Sequence, residues 1–284
     1  MLARALAIAL CLSAAPLPAF AIDPVLATEQ AATMSTRELM QATALDQIFT
    51  TFADTIATSP ELQGVPMPPP FLAAWKDTAY ETLDADILHA QLEAALDGKL
   101  TDAENAEVAA YFRSDFGKRI TALEIEIQTL SAEEQLAARD AGVAILEDIP
   151  DDATRRKQID EIMTLVSADV ARAMLGEAMR AMLVSMSLSG ASGDIEVPWE
   201  EIDRQLDDLL PGFEREMLLT QRALMAYAYD SLTDDEVETY LKFLRTDASQ
   251  RFYALIGLSA GQVMERAMGK FGEELARRLN RVNV

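Results

Sequence analysis

Leu100-Thr101-Asp102-Ala103-Glu104 returns 132 residues later as Leu232-Thr233-Asp234-Asp235-Glu236. The match runs on without a gap. At the same offset Arg113/Arg245, Asp115/Asp247, Arg119/Arg251, Ala122/Ala254 and Leu123/Leu255 are identical, while Tyr111/Phe243, Phe112/Leu244 and Ile120/Phe252 are apolar in both copies. A repeat at fixed period implies that one supersecondary unit is used twice. Thr101 and Thr233 read as helix N-caps, with Glu104 and Glu236 three residues later closing a capping box. Asp102 and Asp234 place negative charge on the positive end of the helix dipole. Val108, Phe112, Phe116, Ile120 and Leu123 step by three or four along one helical face, which marks them as core. Asp115/Arg119 and Asp247/Arg251 are four apart with the acid first, the favourable order for an ion pair within one helix.

Working outward, the same Ser/Thr-x-x-Glu start occurs at Ser35/Glu38 and Ser131/Glu134. Each half is expected to hold a first long helix, from about Ser35 to Thr58 and from about Ala153 to Leu188. A Pro- or Gly-rich loop follows, then a second helix opening at Pro70-Phe71 or Pro198-Trp199, where the missing proline donor costs nothing. The third helix carries the doubled motif. Pro211-Gly212 is expected to kink or break the second helix of the later half. Ile159, Ile162, Val166, Val170, Met174, Met179 and Met182 form one apolar stripe, and alternating β-branched runs are absent. The fold class is therefore all-α: two pseudo-repeated multi-helix units, residues 22–150 and 151–284, forming a helical bundle.

Residues 1–21 read as a secretory signal peptide. Arg4 precedes the apolar run 5–12, and Ala19-Phe20-Ala21 supplies a small-x-small cleavage site. The run is too short to span a bilayer. Cleavage would remove Cys11, the only cysteine, leaving no disulfide or thiolate metal site. Periplasmic localisation is the expectation. The chain carries 47 acidic against 24 basic residues, a net charge of −23. Such a chain is repelled by phosphate polyanions, so nucleic acid is not an expected partner. A basic surface on another protein is the complementary choice.

The motif residues resemble a known family. Tyr111-Phe112-Arg113-Ser114-Asp115-Phe116-Gly117-Lys118-Arg119-Ile120, after its Leu-Thr-x-x-Glu helix start, is similar to the signature of the bacterial exported family catalogued as domain of unknown function 2059. The resemblance covers roughly residues 83–128, and residues 229–258 more faintly. It implies a helical periplasmic protein and supplies no catalytic residues.

Candidate chemistry is sparse. His89, the only histidine, has no cysteine or marked serine nucleophile to serve and no set of nitrogen ligands to join. Asp97-Gly98 through Glu104 resembles the end of a calcium loop, but Ala95 stands at a ligand position, and Met225 and Tyr227 stand there in the second copy. Clustered carboxylates leave weak cation binding open. No catalytic residue, cofactor site or metal site is assigned, and the chain is read as a non-enzyme. Arg113 and Arg245 are the repeated residues that capping and packing explain least. Each either contacts an anionic ligand or partner or crosses to an acidic residue of a neighbouring helix. The leading functional expectation is a protein-protein interaction or binding module of the cell envelope. The alternative is a carrier of an apolar or lipidic ligand in a cavity lined by Met163, Met174, Met179, Met182 and Met186 of one helix together with Met217, Met225, Met264 and Met268. A carboxylate-dependent hydrolase ranks last.

Overall fold

The computed structural model describes residues 33–45, 49–62, 68–151, 153–166, 176–182, 184 and 199–282. The described residues are helical with no strand among them, as the apolar spacing predicts. In chain order the helices are α1 (Thr36–Ala42), α2 (Phe52–Leu62), α3 (Pro69–Thr82), α4 (Ala85–Leu96), α5 (Asp102–Arg113), α6 (Asp115–Gln128), α7 (Ala132–Asp148), α8 (Thr154–Leu165), α9 (Trp199–Ala228), α10 (Asp234–Leu244) and α11 (Asp247–Val282). Residues 176–182 are also helical. The signal-peptide reading of residues 1–21 lies outside the described residues.

All four capping boxes form. At Ser35, Thr101, Ser131 and Thr233 the cap side chain accepts from the backbone three residues on, and the glutamate there accepts from the cap backbone. Helix continuity is where the structure departs from the sequence pattern. The expected helix from Ser35 to Thr58 is two helices. Thr43 turns its hydroxyl back onto the Leu39 carbonyl, and Ala44 takes the left-handed φ of 55°, so the chain leaves α1 before α2 begins. The first motif copy is likewise split at Ser114. Its hydroxyl donates to the Tyr111 carbonyl at 2.6 Å and accepts from Gly117 N–H at 2.9 Å, which ends α5 and caps α6. A Cβ on Gly117 would collide with the Tyr111 carbonyl, so this sharp step requires glycine. By contrast α9 runs through Pro211 without a break. Pro211 and Gly212 are exposed, so water can take the hydrogen bond that proline cannot supply.

One contiguous core joins both halves. The last helix, α11, lies across α3, α4 and α5 of the earlier half, and α9 packs along α7. Trp75 on α3 meets Phe271 on α11 edge to face at 4.8 Å and donates to the Ile56 carbonyl at 2.6 Å. Met163, Met179, Met182, Met217, Met225, Met264 and Met268 are buried members of this core, while Val170, Met174 and Met186 lie outside the described residues. The α7–α9 contact depends on Gly142, where a Cβ would run into the backbone carbonyl of Ala223. Gly142→Ala gains intrinsic helix propensity yet forces the two helices apart. The expected net result is a loss of about 2 kcal/mol in denaturant unfolding, because overpacking against backbone outweighs the propensity gain.

Candidate functional site at the junction of the two motifs

The two copies of the motif meet each other. Tyr111 and Phe243, which occupy matching positions, stack with ring centroids 3.6 Å apart and planes 3° from parallel. Around them Arg119 reaches Glu236 at 3.4 Å, and Arg251 reaches Glu104 at 3.1 Å. These ion pairs are one contact with the copies exchanged, the reciprocity of an isologous interface. Each arginine thus leaves the aspartate one turn before it and goes to the capping-box glutamate of the other copy. The expectation of Asp115/Arg119 and Asp247/Arg251 pairs is corrected accordingly. Contacts across the junction also tie α6 to α10 and α11 to α5, which a pair within one helix does not do.

Arg113 and Arg245 hold the helix that covers each motif. Arg245 forks onto Glu161 of α8 at 2.7 and 2.8 Å and also reaches Glu238 at 2.6 Å, which holds the guanidinium charged and the Glu161 carboxyl below its usual range. Arg113 donates to the Thr33 carbonyl at 3.1 Å and lies near Glu38 of α1. Hence α1 covers α5 as α8 covers α10. Glu38, Leu39 and Met40 correspond to Glu161, Ile162 and Met163 at an offset of 123 residues rather than 132. That shift hides the second correspondence from a search at fixed spacing. Glu161→Gln keeps the hydrogen-bonding shape but removes the charge. It is expected to lower stability by under about 1 kcal/mol, since the pair is half exposed.

Below the stack lies a group that sequence reasoning missed. Glu124 of α6 is buried with Oε1 lacking a hydrogen-bond partner, and burial pushes its pKa well above the usual carboxylate range. The buried hydroxyls of Tyr111, Tyr229, Tyr240 and Tyr253 surround it closely enough to feel its charge, and burial chiefly, with Glu124 adding to it, pushes their pKa values up. Tyr240 and Tyr253 meet hydroxyl to hydroxyl at 3.3 Å, whereas the Tyr111 hydroxyl has no partner. The matching position in the second copy is Ile256. A carboxyl facing an isoleucine position across a repeat is the signal that could have found it.

His89 is half-buried beside Phe49, its ring 5.5 Å from the phenylalanine ring, and its Nε2 accepts from the Phe49 N–H at 3.4 Å. Among the described residues, no group of three or more His, Cys, Asp or Glu side chains is placed to hold a metal ion. No described helix is long and apolar enough to cross a membrane. Two hollows stand out. One is a cavity of about 190 Å3 between α1, the turn before α5 and the start of α11. The other is an open groove of about 460 Å3 between α4 and α11, with Leu88 and Ala267 in its lining and Arg266 and Lys270 beside it.

Family models, curated proteins and solved structures offer no match to this chain.

Proposed function

We propose that the protein is a non-enzymatic interaction module of the bacterial cell envelope, exported by residues 1–21, whose partner is a protein with a basic surface. One observation carries this reading: five arginines are committed to acidic residues within the fold, while a set of exposed carboxylates has no basic partner. Arg155 is spent on Asp234, Arg222 on Asp160, Arg245 on Glu161 and Glu238, Arg251 on Glu104, and Arg278 on Glu81 and Glu274. Glu126, Glu133, Glu147, Asp148, Asp230 and Asp235 are exposed, and none pairs with a basic side chain among the described residues. These unpaired carboxylates face outward on a chain whose net charge is −23, a field that favours a basic partner. The resemblance of residues 83–128 to an exported family agrees with the same compartment.

Titration with a basic peptide at low and at raised ionic strength tests the reading. Binding that weakens steeply as the screening length falls below about 10 Å is the expected result. A peptide that stays free at low salt overturns it. A mature protein lacking residues 1–21 in periplasmic extract is the matching expectation for export.

A second reading rests on the α4–α11 groove. Arg266 and Lys270 stand one turn apart beside apolar lining and pair with no acidic side chain among the described residues. That arrangement suits an apolar ligand with an anionic head, and native mass spectrometry of the purified protein would reveal such a ligand.

A further inference from the structure

The second copy of the motif shows what the turn before it can hold. There the turn from Tyr229 to Thr233 links α9 to α10, and Arg155 of α8 lies against it. Its Nε donates to the Asp234 carboxylate at 2.9 Å, Nη1 to the Tyr229 carbonyl at 3.0 Å, and Nη2 to the Leu232 carbonyl. Every nitrogen of the guanidinium is engaged, and the side chain is only 16% exposed. A planar fork with donors in three directions matches two carbonyls and one carboxylate in a way that a compact ammonium does not.

In the first copy α4 ends at Leu96 as α9 ends at Ala228, and Asp97, Leu100 and Asp102 match Tyr229, Leu232 and Asp234. Here the cavity of about 190 Å3 borders the matching turn, which differs in the left-handed φ of 65° at Gly98, and Asp97, Leu100, Asp102, Asn105, Ser35 and Phe252 are among its lining residues. At the offset that relates α1 to α8, the counterpart of Arg155 is Ala32, and no basic residue stands between Arg4 and Arg37. Asp234 is paired with Arg155; Asp102 pairs with no basic side chain among the described residues. Of the arginines around it, Arg37 goes to Glu93 at 2.9 Å, Arg113 to the Thr33 carbonyl at 3.1 Å, and Arg251 to Glu104 at 3.1 Å and the Lys99 carbonyl at 3.3 Å. Asn105, where the second copy has Val237, exchanges two hydrogen bonds with the Met34 backbone, which holds the α1 side of the cavity in place.

We propose that this cavity is a socket for an arginine side chain of the partner protein, held by the Asp102 carboxylate and the carbonyls of Asp97 and Leu100. The socket deepens the interaction reading above by naming one recognised group. It uses a second, independent observation: residues at the matching sequence positions already hold a guanidinium in the other copy.

The test uses the full mature protein and a small probe, N-acetyl-arginine amide, with its uncharged citrulline counterpart as control, followed by the amide NMR signals of Thr33 to Thr36 and Gly98. Saturable shifts at those amides, at least tenfold weaker for citrulline, are expected. Asp102→Asn keeps a residue suited to a helix start, so the fold is expected to persist by circular dichroism while probe affinity falls about 10- to 100-fold, the worth of one charge-assisted hydrogen bond. Glu133→Gln, an exposed change outside the socket, is expected to leave probe binding unchanged. Shifts that do not saturate, or an affinity that Asp102→Asn leaves intact, overturn the socket. A basic peptide that still binds Asp102→Asn at low salt, with no probe binding to the unaltered protein, removes the socket while the acidic-surface reading stands. Probe binding without peptide binding does the reverse.

Discussion

Glu124→Ile is expected to stabilise the protein, and to do so more at pH 8 than at pH 5. Glu124 is buried among four tyrosines with one carboxylate oxygen unsatisfied, and isoleucine already occupies the matching position 256. Removing an orphan buried oxygen is worth about 1–3 kcal/mol by itself. The pH dependence follows from the raised pKa of the carboxyl. Below the pKa of the unfolded chain, about 4.3 for a free glutamate, both states carry the proton and the group costs the fold no charge burial. Above it the unfolded chain releases the proton while the folded chain keeps it. Stability is then lost at about 1.4 kcal/mol per pH unit until the folded pKa is passed. Glu124→Gln, which never ionises, should flatten that slope, and Glu124→Ile should flatten it and raise the curve. Urea unfolding of the three proteins from pH 4 to pH 9 checks both effects. Parallel curves for wild type and Glu124→Gln would show that Glu124 is not the source of the slope. The capping-box glutamates Glu38, Glu104 and Glu134, whose pKa values are lowered chiefly by hydrogen bonds from Ser35, Thr101 and Ser131, work in the opposite sense. Their contribution is present above the unfolded pKa and is lost as pH falls through the folded one, so it shapes only the acid limb.

Much of the fold was legible in the residues because its signals are local. A capping box spans four residues and satisfies backbone donors that any helix start must satisfy, so Ser35, Thr101, Ser131 and Thr233 could be read without knowing what surrounds them. Val108, Phe112 and Ile120 are buried as their spacing requires, even though Ser114 divides them between two helices. What could not be read is where long side chains go. Arg119 has an acid one turn away in sequence and a better-placed one in the other copy, and only the tertiary packing that brings α10 to α6 decides between them. Arg155 has no counterpart at the offset of 132, and the offset of 123 that relates α1 to α8 rests on a match of three residues, too short to stand out. For the site the limit is sharper still. A cavity is a difference between two nearly matching places, and periodicity carries no record of which one a side chain fills.

Phe243→Ala is expected to cost the largest single amount, about 3–5 kcal/mol in denaturant unfolding, because it empties a buried aromatic position where the two motif copies meet. Phe243 stacks on Tyr111 and meets Phe112 edge to face at 5.7 Å, and Phe112 in turn meets Phe252 at 5.9 Å. The ring therefore ties α10 to α5 and, through Phe112, to α11. Exposed ion pairs such as Arg119–Glu236 contribute little beside this, so the aromatic contact and not the reciprocal charges holds the junction. A double-mutant cycle separates stacking from burial. Tyr111→Ala and Phe243→Ala together should fall short of the sum of the single losses by about 0.5–1.5 kcal/mol, the coupling of a stacked pair. Tyr111→Phe supplies the complementary measurement. It keeps the ring and removes a hydroxyl that is buried without a partner, so it should be neutral or stabilising where Tyr111→Ala is costly. A loss of more than about 1 kcal/mol in Tyr111→Phe would mean that the hydroxyl, and not the ring, is what the junction uses. Strict additivity in the cycle would place the two rings in separate cores, contrary to the 3.6 Å stack.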